Sequence, residues 1–388
     1  MPPDIMNLDV LISTVPDDIH AGTVSLALEQ HGARVQRWYP SAYPLGDTLS
    51  FQIDAQGRAA SHLSVHGAPL PFEESRIGAF WYRRQGLPTL SPALHPADLG
   101  MALKSTQRIT DDAMARLSQR AGLPVNPFHQ ADVVERSKML QLRQALALGL
   151  ACPPTLISND PDEVRAFIRR HEGEVVFKSL YFSVWDSDAG QATNFTASVG
   201  EADLPGDAIL RSCPGIFQRR VDKSHELRVV VMGTHVTALQ LDSQFADRSR
   251  LDWRVLGGEV PMRPVTLEPK LRQQCIDLIH GLGLCFGSID LIVDVDGRAV
   301  FLEVNQQGQF LWLEEHCPEV PLSDTMAQFL LSGDPRFAGP QRSPRLSFNA
   351  ARDAAWDLVQ QDVKAYGFEL VRNDVTVAEP ASEFGAQA

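Results

Sequence analysis

The 388-residue chain has only five cysteines: Cys152, Cys213, Cys275, Cys285 and Cys317. They are odd in number and scattered, with no CxxC pair and no Cys/His metal spacing. That argues against a zinc module or a disulfide framework, and for a reduced cytosolic protein with buried thiols. Cationic excess is also missing: 35 Lys and Arg stand against 48 Asp and Glu, a formal net charge of -13. A general nucleic-acid surface is thereby excluded, and only a local basic cleft remains open. No run reaches the ~18 apolar residues of a membrane span, and the N-terminus lacks a cationic start with an apolar signal core. No GxGxxG follows the first strand-like run, so no dinucleotide site is read there. Internal repeats and low-complexity blocks are absent as well. What is present is globular, 44% hydrophobic and 21% charged. The length suits two or three domains.

The stretch that organises the chain is residues 288–305, SIDLIVDVDGRAVFLEVN. Asp296-Gly297 between β-branched, apolar runs is a strong hairpin signal. If those two residues form the loop, Val295 faces Arg298, and Asp290 lies across from Glu303 on one face of the ladder. Asn305, two residues past Glu303, points to that same face. Two carboxylates that face each other repel, so the arrangement asks for a cation. Hard oxygen ligands of this kind suit Mg²⁺. The plain alternative is the solvated face of an ordinary hairpin.

Residues 8–15 read as a buried strand, 23–31 as a helix and 33–38 as the next strand, the pattern of a small parallel α/β unit. Residues 49–70 form an antiparallel hairpin, 77–82 a strand ending in Arg83-Arg84, and 96–121 a helix. This first domain is expected over residues 1–125. A second, over residues 126–335, divides into parts near 126–217 and 218–335. It opens with one amphipathic helix, 131–148, stopped by Gly149 and Pro153-Pro154. A capped helix at 160–171, a strand at 174–180, and a small, polar, mobile loop at 183–196 follow. Strands broken at Gly233 and a helix at 267–284 lead into the organising hairpin. Residues 336–388 hold a linker, one more helix and a frayed tail.

Several residues could carry chemistry. Lys178 interrupts an apolar strand, where a lysine needs an anionic partner. Lys138 sits on the preceding helix, where most lysines are simply solvated. Gln218-Arg219-Arg220-Val221, with Lys223 after it, ends a strand where two subdomains would meet, and backbone groups there can read an adenine edge. Arg228 lies in the strand that follows, and Arg254 in Asp252-Trp253-Arg254. Taken singly, each arginine reads more simply as a surface ion pair. Together they form an ordered set: lysine, lysine, hinge, arginine, arginine, then Asp/Glu/Asn.

That ordered set resembles the ATP-grasp superfamily, over about residues 126–314, with the N-terminal α/β unit matching its pre-ATP-grasp domain. It is most similar to the ligases that mature graspetides, the microviridin-type ribosomal peptides. The marks are WYRR at Trp81, PPTLISNDP after the Lys138 helix, FQRRVDKSHELRV, DWR at Asp252 and FLEVNQQGQFLWLE. Glutathione synthetase and the ribosomal-protein glutamate ligases are more distant relatives. Departures exist. The family's usual Asn-Pro-Asn-Gly is Asn305-Gln306-Gln307-Gly308 here, its following Trp is Phe310, and the superfamily's hinge acid is Arg219. The resemblance implies an α/β (α+β) ATP-grasp fold with ATP and Mg²⁺ as cofactors. Lys138, Lys178, Gln218, Arg219, Arg220, Val221 and Lys223 would hold ATP, and Asp290, Glu303 and Asn305 the metal. Arg228 and Arg254 would serve the reacting anions. A precursor peptide carboxylate would become an acylphosphate, then an ester or amide, with no covalent enzyme intermediate. The implied partners are a precursor peptide with a leader and a second copy of the chain, with no nucleic acid and no membrane. Two other readings stay open: a ligase of the same fold acting on a small metabolite or adding amino acids to a protein, and a non-catalytic ATP-binding module.

Overall fold

The computed structural model describes residues 7–65, 68–71, 76–181, 184–187, 190–193 and 195–366. Two compact units account for them. The first holds the residues up to Phe128, together with Ser323–Gly333 and the residues from Arg342 onward. The second holds His129–Leu322 and Asp334–Gln341.

In the first unit, β1 (Asn7–Ser13), α1 (Ile19–Gln30) and β2 (Val35–Trp38) follow one another. A hairpin and third strand, β3 (Leu49–Ile53), β4 (Ala59–Val65) and β5 (Ala68–Pro71), make a separate antiparallel sheet. Then come β6 (Arg76–Tyr82), α2 (Leu99–Arg120) and β7 (Leu123–Val125). The main sheet has the order β2-β1-β6-β7 and is parallel throughout, as the strand–helix–strand order predicts. Asp18 caps α1, and its buried carboxylate meets Arg83 at 2.5 Å, which gives the Arg83 of the WYRR stretch a structural role.

The second unit starts with a correction. The predicted single helix 131–148 is two: α3 (Phe128–Arg136) and α4 (Lys138–Ala147). Ser137 breaks the run with a non-helical backbone (φ -119°, ψ 88°), and its hydroxyl accepts from Leu140 N as the cap of α4. Apolar periodicity cannot report such a break, because both helices keep their apolar residues in phase. Next are β8 (Thr155–Ser158), α5 (Pro161–Arg170), β9 (Val175–Ser179), β10 (Val184–Ser187), β11 (Gly190–Thr193), β12 (Ala197–Ser198), α6 (Asp207–Ser212) and β13 (Gly215–Arg219). The expected mobile loop 183–196 therefore contains an antiparallel hairpin, β10–β11; Ser183, Asp188, Ala189 and Asn194 lie outside the described residues. Strands β12-β9-β13-β8 form a four-stranded sheet covered by α5.

Strand β14 (Lys223–Met232), β15 (His235–Leu241), β16 (Met262–Val265), α7 (Pro269–Gly281), β17 (Phe286–Asp294) and β18 (Ala299–Asn305) follow, and β16-β15-β14-β17-β18 form a five-stranded antiparallel sheet. Alternation divides its faces. Leu227, Val229, Val231, Ala238, Ile289, Leu291 and Val304 bury against Leu142 and Ala145 of α4 and Ile276 and Ile279 of α7. Glu226, Arg228, Asp290, Glu303 and Asn305 are left on the opposite face. Finally α8 (Leu311–His316), α9 (Leu322–Ser332) and α10 (Phe348–Tyr366) end the described chain. Among the described residues no helix is long and apolar enough to cross a membrane. The five cysteines are free; three are buried, but Cys152 is half-buried and Cys213 exposed, so the expectation of uniformly buried thiols fails.

Candidate active site

The β17–β18 hairpin places Asp290 directly across from Glu303 and Ser288 across from Asn305, the predicted pairing. The route to it differs from the expected one. The loop has three residues, Val295-Asp296-Gly297, with Asp294 N donating to Arg298 O at 3.0 Å. Gly297 takes φ +80°, the left-handed position such a loop needs. Asp294 sets this turn by accepting from the backbone N of Asp296 and Arg298. Val293 consequently faces Ala299, one residue out of the two-residue register. A bulge on β18 between Phe301 and Glu303 adds a residue and restores the pairing at Asp290. The two irregularities cancel, and both carboxylates reach the polar face.

Each carboxylate already has a cation. Lys138, at the first position of α4, donates to Glu303 Oε2 at 2.5 Å. Arg228, opposite Asp290 on β14, donates through Nη1 to both Asp290 oxygens at 2.7 and 2.8 Å. Its Nη2 donates to Gln309 O at 3.2 Å. The repulsion that seemed to require a metal is thus met by two side chains. Burial would raise the Glu303 carboxyl, but Lys138, then Lys178 and Arg254, hold it down at about 2. Asn305 Oδ1 accepts from the backbone N of Gln307 and Gly308, folding the chain back after the strand. Gly308 is obligatory there, because a Cβ would run into the Phe286 ring.

Lys178 comes from the facing four-stranded sheet, opposite Ile216 on β13. Burial pushes its ammonium down from the ordinary lysine value, opposed by Glu303, Asp252 and Glu226. Arg254 grips Asp252 with two hydrogen bonds, Nε to Oδ1 at 2.8 Å and Nη2 to Oδ2 at 2.6 Å. Asp252 Oδ2 also accepts from Thr196 N, just after the β10–β11 hairpin. Burial would raise the Asp252 carboxyl, yet Arg254 and the backbone N of Thr196 hold it at about 2. Lys223 donates to Glu226 at 2.6 Å and to Leu251 O at 3.1 Å. Lys138, Lys178, Arg228, Arg254, Asp290, Glu303 and Asn305 are therefore brought together, with Lys223 joined through Glu226.

The hinge residues are placed differently. Gln218 is buried and donates to Thr155 Oγ1. Arg219 and Arg220 point outward; Arg220 pairs with Glu174, and their backbone N–H groups go to Pro154 O and Glu174 O. Their amide donors are spent inside the sheet, and Val221 is half-buried in the link between the two sheets. Sequence reasoning missed the Trp253–Trp312 stack, with centroids 4.6 Å apart, and His316, whose Nε2 lies 2.8 Å from Gly258 O. These contacts fasten the Asp252–Arg254 turn to α8. The aromatic residues on either side of the site, one in DWR and one in FLWLE, were the available signal.

The donor set fits a hard divalent cation: two carboxylates and an amide oxygen on one polar face. No cluster of three or more His, Cys, Asp or Glu occurs among the described residues, so a metal here would depend on further oxygens from substrate.

No protein-family model matches the chain. N-acetylaspartylglutamate synthase A of Homo sapiens is 33% identical over 111 residues, 28% of this chain and 28% of that protein. The match to that curated relative thus spans little more than a quarter of its length. Among solved structures, the RiPP-associated ATP-grasp ligase of Chryseobacterium gregarium, in complex with ADP and a leader and core peptide, superposes with a TM-score of 0.75. It is 26% identical, over 88% of this chain and 100% of that one. Macrocyclase MdnC of Microcystis aeruginosa MRC, bound with precursor peptide MdnA, gives 0.73 at 29% identity, over 84% of this chain and 100% of its own. Macrocyclase MdnB of the same organism gives 0.69 at 29% identity, over 84% and 99%. The fold is that of the ATP-grasp ligases. The likeness runs over 84–88% of this chain and is in keeping with the resemblance read from the sequence marks.

Proposed function

We propose that the protein is an ATP-dependent carboxylate ligase that closes side-chain ester or amide links in a ribosomal precursor peptide. The observation that carries this reading is the pair of carboxylates on one sheet face, each held by its own cation: Lys138 on Glu303 and Arg228 on Asp290. The likeness, over 84–88% of this chain, to a ligase solved with ADP and peptide and to a macrocyclase solved with its precursor peptide supports the substrate class. Asp290, Glu303 and Asn305 would hold Mg²⁺, which when bound supplies neutralisation of the transferring phosphoryl oxygens. The chain's own residues do the rest. Lys138 exchanges Glu303 for a phosphate oxygen, and Lys178, whose charge burial disfavours, takes phosphate as a further anion beside Glu303, Asp252 and Glu226. Arg254 presents a cation that cannot lose its proton to the incoming carboxylate, with Asp252 fixing its plane. A peptide Asp or Glu oxygen then attacks the γ-phosphorus and the bond to ADP breaks. A hydroxyl or amine attacks the acyl carbon of the resulting acylphosphate, phosphate leaves, and the nucleophile's proton is lost.

The test is incubation with Mg·ATP and a peptide encoded beside the gene. Loss of one water per ring, with one ADP formed for each, is expected; ADP formation that no peptide stimulates would refute the reading. The identity to N-acetylaspartylglutamate synthase A favours a second reading, a ligase joining small acids to amines. Turnover on such acids without peptide would select it. A homodimer in the cytoplasm completes the proposal, and sedimentation as a monomer alone would count against the dimer.

A further inference from the structure

Gln141, on α4, is 1% exposed, and its side-chain partners are all backbone groups. Its Oε1 accepts from Val304 N at 2.9 Å, and its Nε2 donates to Val304 O at 3.1 Å and Val134 O at 2.8 Å. Strand β18 is the edge of the five-stranded sheet, so its outward N–H and C=O groups need cover. A glutamine amide carries one acceptor beside one donor, the pattern a neighbouring strand would offer to a single residue. Gln141 therefore acts as one residue of a missing sixth strand. Its spare N–H satisfies Val134 O, a carbonyl left open where the helix breaks at Ser137.

The location gives this clamp its meaning. Val304 N and Val304 O belong to the two peptide planes that join Val304 to Glu303 and to Asn305. Holding both planes fixes the directions in which those two side chains leave the strand. Lys138, three residues before Gln141 on the same helix, meets Glu303 directly. Beyond Asn305, Gln306 Nε2 donates back to Glu135 of α3 at 2.7 Å. The neighbours Val134, Leu142, Ala145 and Val304 are apolar and buried, so leucine would suit the packing and a glutamine is costly unless its amide is used.

We propose that Gln141 is a positioning residue that sets the register of α4 on β18 and thereby aims Glu303 and Asn305 on the polar face they share with Asp290. The inference rests on reading those two residues as the divalent-cation side of the site. The variants are Gln141→Met, which keeps length and volume, and Gln141→Leu. Hydrogen exchange at the Val304 amide is read without ligand, and ADP affinity is read with and without Mg²⁺. In the parent, the Val304 amide should be protected. In Gln141→Met, its exchange should quicken about tenfold, the equivalent of one hydrogen bond. Affinity for ADP with Mg²⁺ should fall about tenfold by the same equivalence, while affinity for ADP alone stays unchanged. An unprotected Val304 amide in the parent overturns the clamp without any variant having to fold. Faster exchange in Gln141→Met with full Mg²⁺ dependence retained overturns the positioning role alone. A parent whose ADP affinity ignores Mg²⁺ overturns the reading of the site, and the inference with it.

Discussion

Replacing Arg228 with methionine should destabilise the five-stranded sheet and disable the site together. Arg228 is 7% exposed in its side chain and Asp290 24%, so the pair is largely desolvated. Removing one partner of a buried ion pair costs about 3–5 kcal/mol, because a charge is left behind without its cation. Residual solvent at Asp290 puts the expected loss at the lower end, about 3 kcal/mol. Lysine keeps the charge but cannot span both Asp290 and Gln309 O, so Arg228→Lys should lose about 1 kcal/mol, one hydrogen bond's worth. Exchange of the β14 and β17 amides reads these losses locally; about 3 kcal/mol corresponds to roughly a hundredfold faster exchange. Asp290→Asn in the methionine background should return part of the stability, since the stranded charge is gone. Hydroxylamine trapping of the acylphosphate should show lower turnover for Arg228→Lys even at saturating ATP. Arg228→Met exchange within threefold of the parent, or trapping at the parent rate in Arg228→Lys, would refute the reasoning.

Asp290→Ala and Glu303→Ala should each abolish Mg²⁺-dependent ADP formation with circular dichroism still native, and Asp290→Ala should in addition lower the melting temperature, because it strands the Arg228 charge; turnover near normal in either variant contradicts the pairing. Lys178→Met should weaken nucleotide binding yet stabilise the ligand-free fold at neutral pH. Burial lowers the folded-state value of this lysine, so the unfolded chain binds the proton better, and the parent should gain on the variant as pH rises toward 10.5; a pH-independent difference in melting would count against it. Asp252 behaves in the opposite sense: its folded value of about 2 lies below the ordinary 3.8, so its contribution is complete above 3.8 and is lost as pH falls through about 2. Asp252→Asn should flatten that acid limb and raise KM for the carboxylate substrate through a loosened Arg254; an unchanged limb in the variant speaks against the pair.

The hairpin at the centre of the site was legible because its signals are local. Asp296-Gly297 marks the turn, and alternation assigns Asp290, Glu303 and Asn305 to one face. The loop length was not legible: a three-residue loop followed by a bulge gives the same pairing at Asp290 as a two-residue loop with none. Pattern reading sees parity along a strand, and parity is preserved when two single-residue irregularities compensate. The break at Ser137 escaped for a related reason, since the helices on either side stay in phase.

Partners across long sequence separations were beyond reach, and they change what the site is. From the sequence, Asp290 and Glu303 look like a pair of bare anions awaiting an ion. In the folded chain Lys138 arrives from 165 residues away and Arg228 from 62, and the anions are neutralised before any ligand enters. A site built this way is stable when empty, because each cation offsets a carboxylate that would otherwise be desolvated beside its like. It is also prepared for a ligand carrying both signs of charge. Phosphates can take over the lysine as a divalent cation takes over the carboxylate, so the exchange creates no uncompensated charge at the site. Free nucleotide or free metal satisfies only half of that exchange, and a site of this construction should favour the two together over either alone.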